Sequence, residues 1–94
     1  MKVKDTVTVD SIYLTIRARL REFLATTDYF YTNDSEAVRI ITRDFPSWQY
    51  TGAAEFEEIM VWCEEHFKRD WLWRFETIYF KHERDKALFL LKWA

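Results

Sequence analysis

Cys63, His66 and His82 are the side chains in this sequence suited to a soft or borderline metal, and Cys63 is also its one thiol nucleophile. Cys63 and His66 stand three residues apart, a spacing that sets two ligands on one side of a helix. A zinc site needs three or four donors, and no second pair follows nearby. The pair therefore reads as a buried thiol next to a surface imidazole. Nucleophilic catalysis would require a base and an orienting group beside the nucleophile. Cys63 falls instead in the middle of an apolar helix face, where burial raises a thiol's pKa. A single glycine leaves no loop to cradle a phosphate, and the many acids mark out no pair set in apolar surroundings. The expectation is a protein that is not an enzyme and holds no metal and no cofactor.

Trp71, Trp73 and Phe75 alternate along one run and could form a stacking platform for bases or sugars. Alternating aromatics on a strand more often build a core, and that reading is preferred. The chain holds five Trp, five Tyr and eight Phe, an aromatic share of 19%. At this length one core cannot hide all of them, so the composition leans toward association.

Ninety-four residues suit one domain over 1–94, burying roughly 60–65% of the surface its unfolded chain exposes. A formal charge of −2 lacks both the basic excess that announces nucleic acid and the acidity of a DNA mimic. One Gly and one Pro exclude a linker-rich or disordered chain. A lone cysteine fits a reducing compartment. Met1–Asp5 is charged with no apolar stretch behind it, and no run nears the roughly 18 apolar residues of a membrane span. The expected location is cytoplasmic, with no membrane partner.

The elements that must position these residues follow from periodicity. A first helix runs from Asp10 to Leu24, with Ile12, Ile16, Leu20, Phe23 and Leu24 on one face. Thr8 or Asp10 caps it, and Arg17, Arg19 and Arg21 fall off the apolar stripe. Asp28–Thr32 is an aromatic run, read as a short strand or as an irregular segment packed by its rings. Asn33 and Glu36 have the spacing of a capping box. They favour a second helix over 35–45, burying Ala37, Val38, Ile41 and Phe45 and exposing Arg39 and Arg43. The β-branched Val38–Thr42 stretch also admits a strand, but Pro46 supplies a helix stop.

Ser47–Thr51 reads as a connection. Gly52–Lys68 reads as an amphipathic helix with Phe56, Ile59, Met60, Cys63 and Phe67 inside. Glu55, Glu57, Glu58, Glu64 and Glu65 colour its remaining surface. Trp71–Phe80 and Ala87–Trp93 read as the two strands of a long C-terminal antiparallel hairpin joined by the charged loop Lys81–Lys86. The fold class is α+β, three helices and this hairpin. If equal parities pair, the odd positions give an aromatic face for the helices. The even positions give a mixed face too apolar to leave in water.

Two functions compete. The first is a non-enzymatic protein-binding module, a small modulator or inhibitor of the kind phages and mobile elements encode, acting by surface occlusion and working as a homodimer. Its contact residues are Leu72, Arg74, Ile78, Phe80, Leu88 and Leu90 on the mixed hairpin face. Glu57, Glu58 and Glu65 form a second, acidic docking surface for a basic patch. Alternatively, Arg17, Arg19 and Arg21 complement those acids within the molecule or across a dimer. The second function is nucleic-acid binding. The order helix, short strand, helix, helix, long hairpin has the silhouette of a winged helix-turn-helix, with Arg39, Arg43, Lys81, Arg84 and Lys86 able to meet a backbone. The five glutamates on its reading helix oppose phosphate and rank it second.

Overall fold

A computed structural model describes residues 16–52 and 54–93, and for 16–18 the backbone alone. The expected helix start at Asp10, the caps Thr8 and Asp10, the side chains of Ile12, Ile16 and Arg17 and the Met1–Asp5 segment lie outside the described residues. The described chain runs α1 (Ile16–Ala25), α2 (Asp34–Asp44), β1 (Ser47–Gln49), α3 (Phe56–Phe67), β2 (Trp71–Arg74), β3 (Thr77–Phe80) and α4 (Glu83–Trp93). The class is α+β, and the three strands form one antiparallel sheet in the order β1-β3-β2.

The second helix forms as its cap demands. Asn33 Oδ1 accepts from the Glu36 N–H at 2.8 Å, and the Glu36 carboxylate reaches back to accept from the Thr32 N–H at 2.7 Å. That backbone bond, with a second from the Thr32 hydroxyl, holds Glu36 below the ordinary carboxylate range. α2 stops where the Phe45 N–H bonds the Ile41 carbonyl, one residue before Pro46. Its buried side is Ala37, Ile40 and Ile41, with Val38 and Phe45 packed against them. Arg39 and Arg43 are exposed, as expected. Asp28–Thr32 takes the irregular form, with Tyr29 tilted over Phe45 at 5.5 Å.

α3 buries the expected Ile59, Met60, Cys63 and Phe67, with Phe56 half-buried. It starts at Phe56 instead of Gly52, and Glu55 is its N-cap without a side-chain bond. Gly52 stands outside the helix in the left-handed region, at φ 85°. Ser47–Gln49, expected as a connection, adds a third strand beside β3.

The last quarter departs most from expectation. The run Trp71–Phe80 is itself the hairpin, with Arg74 opposite Thr77 and only Phe75 and Glu76 between them. Ala87–Trp93 belongs to α4 and not to a strand. Ala, Leu and Lys are strong helix formers, and Glu83 and Asp85 occupy the first turn where the helix dipole favours acids. The order is thus helix, helix, strand, helix, short hairpin, helix, which is not the winged-helix silhouette.

Alternation along β2 and β3 then splits the core in two. Leu72 and Tyr79 face α1 and α2, joining Leu20, Phe23, Leu24 and Ile41. Trp71, Ile78 and Phe80 face α3 and α4, joining Ile59, Met60, Cys63 and Phe89. The second layer that the apolar hairpin required comes from the chain itself. Leu72, Ile78 and Phe80 are 5%, 0% and 0% exposed, so the partner-facing hairpin surface is corrected to core.

A band of polar contacts ties α1 to the opposite layer. The Arg19 guanidinium, 6% exposed, pairs with Glu64 of α3. It donates from Nη2 to the Lys68 carbonyl at 2.8 Å and lies 5.1 Å from the Trp71 ring. Trp71 Nε1 donates to the same Glu64 oxygen at 2.9 Å. Nearby, Arg69 meets Glu22 at 3.6 Å and Lys81 donates to the Thr26 hydroxyl.

Phe75 sits at φ 55° and is 79% exposed. It occupies the first central position of a two-residue hairpin, where glycine is favoured. A left-handed backbone costs a non-glycine residue about 1–2 kcal/mol, offset partly by the entropy glycine loses. Phe75→Gly is expected to raise the unfolding free energy by about 1 kcal/mol in urea titrations.

Candidate functional site

α4 is the element whose outward face is most apolar. At about 100° per residue, Arg84, Leu88 and Leu91 stack on one side, with Ala87 beside them and Phe89 turned to the core. Leu91 is 85% exposed and Leu88 is 46% exposed, whereas Phe89 is fully buried. Lys92 stands one turn beyond Leu88 and is exposed. The stripe is therefore two leucines bracketed by two cations. Leu90, expected on the contact face, is half-buried and packs against the α3-side core.

Beside this stripe runs a shallow groove between α3 and α4, lined by Glu58, Val61, Trp62, Glu65, Lys92 and Trp93. Its floor is aromatic. Trp62 meets Trp93 edge-on at 6.1 Å and stacks on His66 at 4.0 Å. Trp93 Nε1 is buried and finds no hydrogen-bond partner among the described residues, an uncommon state for a tryptophan N–H. Glu57, Glu58 and Glu65 are exposed along α3. Among the described residues none of the three is in an ion pair. Glu64 has left that acidic set, because Arg19 neutralises it within the molecule. Of the expected intramolecular complement, Arg19 meets Glu64 while Arg21 reaches Asp34 instead, and the Arg17 side chain lies outside the described residues.

The structure does not assemble the expected cationic set. Arg39 and Arg43 lie on α2, and Arg43 Nε binds its neighbour Asp44 at 2.7 Å. That contact raises Arg43 and lowers Asp44 from their ordinary pKa values. Lys81 is 8% exposed and held near Asp70, Arg84 reaches Asp85 at 3.8 Å, and Lys86 is half-buried. Arg74 is exposed next to the hairpin turn, its guanidinium over the Phe75 ring at 4.6 Å. The stacking platform does not form: Trp71 is buried and stacks on half-buried Trp73 at 5.9 Å, whereas Phe75 is exposed in the turn.

Cys63 and His66 do not converge. Cys63 is fully buried and His66 is exposed, its Nδ1 2.9 Å from the Trp62 carbonyl oxygen. Burial pushes the Cys63 thiol far up from its ordinary pKa, the opposite of what a nucleophile needs. The donors that do converge are Asp70, His82 and Asp85. Sequence reasoning missed Asp70 because it stands twelve positions before His82 and only the β2–β3 hairpin closes that gap, and Asp85 because Lys81–Lys86 reads as a loop and not as the start of a helix. An apolar cavity of about 180 Å³ between α1, α2 and β2, with Val38, Ile41 and Leu72 in its wall, offers no carboxylate, imidazole or thiol.

No protein-family model, curated protein or solved structure matches this chain. Among the described residues no helix is long and apolar enough to cross a membrane.

Cys63 is expected to resist a thiol-specific reagent in the folded protein and to react once urea unfolds it. Stoichiometric labelling in the absence of denaturant would contradict its burial.

Proposed function

We propose that this chain is a non-enzymatic protein-binding module that works by covering a surface of its partner. The covering face is the outward side of α4 together with the acidic ridge of α3. One observation carries the reading: Leu91, on the outward side of α4, is 85% exposed, while Glu57, Glu58 and Glu65 on neighbouring α3 are exposed and, among the described residues, in no ion pair. A leucine pair flanked by carboxylates on one side is complementary to an apolar helix flanked by cations.

α4 is itself such a helix, since Arg84 and Lys92 bracket Leu88 and Leu91. A two-fold axis would lay the basic edge of one α4 on the acidic α3 ridge of the other copy, which is the self-complementarity an isologous dimer requires. The occupant we assign to the face is therefore a second copy of the chain. The homodimer moves from the hairpin, where Leu72, Ile78 and Phe80 are core, to α4. Nucleic-acid binding has less support, because Arg43 is paired with Asp44, the Lys81 side chain is 8% exposed and Lys86 is half-buried.

Sedimentation equilibrium tests the reading. The wild-type chain is expected to form a reversible dimer in the micromolar range. Leu91→Glu should be a folded monomer, and added salt should weaken the dimer by screening the Glu–Arg and Glu–Lys contacts. A wild type that stays monomeric through that range, or a dimer that Leu91→Glu leaves intact, would overturn it.

A further inference from the structure

At the corner where β2 begins and α4 begins, the geometry points to a divalent transition-metal site, best suited to zinc, with Asp70, His82 and Asp85 as its three protein ligands.

The hairpin brings these residues together. Trp71 pairs with Phe80, and one step further the Lys81 N–H bonds the Asp70 carbonyl at 3.0 Å. Asp70 therefore faces the strand that leads directly into His82. His82 stands just before α4, and its carbonyl accepts from the N–H groups of Asp85 and Lys86. That bond pattern folds the first turn of α4 so that the Asp85 side chain returns over His82. One ligand thus comes from the α3–β2 connection, one from the entry to α4 and one from its first turn.

The distances suit a small cation. One donor atom from each residue lies within 4.8 Å of the other two, and His82 Nε2 is 3.5 Å from Asp70 Oδ2. Donors around a tetrahedral zinc stand about 3.4 Å apart. One imidazole and two carboxylates match zinc better than calcium or magnesium, which prefer oxygen alone. Three protein ligands leave a fourth position for solvent. Access is open, because the Asp70 and His82 side chains are each 41% exposed and Asp85 is 17% exposed.

Two cations border the site. Lys81 Nζ is 3.8 Å from Asp70 Oδ1, the oxygen other than the one that faces His82, and it donates to the Thr26 hydroxyl. Arg84 Nε is 3.8 Å from Asp85 Oδ1 and its side chain is 81% exposed. Both contacts are long for ion pairs, and Lys81 is directed to the far side of Asp70.

Isothermal titration of the full chain with Zn²⁺, and the visible spectrum with Co²⁺ in its place, test the site. One equivalent of metal should bind, and the Co²⁺ bands should show an imidazole–carboxylate environment without thiolate charge transfer. His82→Ala and Asp85→Asn should each weaken binding roughly tenfold or more, while circular dichroism shows them folded. His66→Ala should bind as the wild type does. No saturable binding by the wild type, or affinity unchanged in folded His82→Ala, would overturn the site, as would a loss that follows His66→Ala instead.

Discussion

The Arg19 guanidinium is the contact on which the two halves of this structure depend. It leaves the α1 layer, passes the start of β2 and ends among groups of the α3 layer: Glu64, the Lys68 carbonyl and the Trp71 ring. A nearly buried cation must find partners, because its desolvation costs several kcal/mol. Here a single carboxylate oxygen answers both Arg19 and Trp71 Nε1, and Lys68 adopts φ 56° where its carbonyl meets the same guanidinium. Arg19 Nε has no hydrogen-bond partner among the described residues. The knot therefore specifies which helix meets which more than it adds net stability.

From that constraint the remaining architecture follows. With α1 tied to the end of α3, the sheet is covered on both sides by helices of its own chain, and the apolar side chains of β2 and β3 are consumed within the molecule. The surplus carbon then appears elsewhere. Besides Phe30 and the turn residue Phe75, it lies on the outward side of α4, which packs Phe89 inward against Trp48, Trp62 and Phe80 and leaves Leu88 and Leu91 facing out. The same cross-layer ties set the corner at Asp70, where Lys81 touches both Thr26 of the α1 side and Asp70 itself. The exposed leucines thus lie in the middle and last turn of α4, and Asp85 of the Asp70–His82–Asp85 corner lies in its first turn.

Much of this was legible where the physics is local. The Asn33–Glu36 cap, the Pro46 stop and the apolar stripe of α3 depend on residues within a few positions of each other, and all three form as the sequence predicts. The hairpin was misplaced because its turn, Phe75–Glu76, carries none of the Gly, Asn or Asp signals of a two-residue loop. Ten residues of aromatic alternation then looked like one long strand. α4 was lost with it, although Ala87, Leu88, Leu90, Leu91 and Lys92 all favour a helix. Of the contact residues, Leu88 alone among the apolar ones lies on an open face, and strand alternation places the odd-numbered Leu91 on the aromatic side although helix geometry turns it outward. Arg19 and Glu64 are separated by 45 positions, and no periodicity links them. The sequence allowed their complementarity as a possibility without pairing them.

A double-mutant cycle on Arg19 and Glu64, read from urea unfolding, tests the central claim most directly. Arg19→Met alone should cost about 3–5 kcal/mol, since it leaves Glu64 partly buried without its cation. Arg19→Met combined with Glu64→Leu should recover much of that loss, giving a coupling of about 1.5 kcal/mol or more. Two losses that simply add, to within about 0.5 kcal/mol, would mean that Arg19 and Glu64 do not form the tie between the layers.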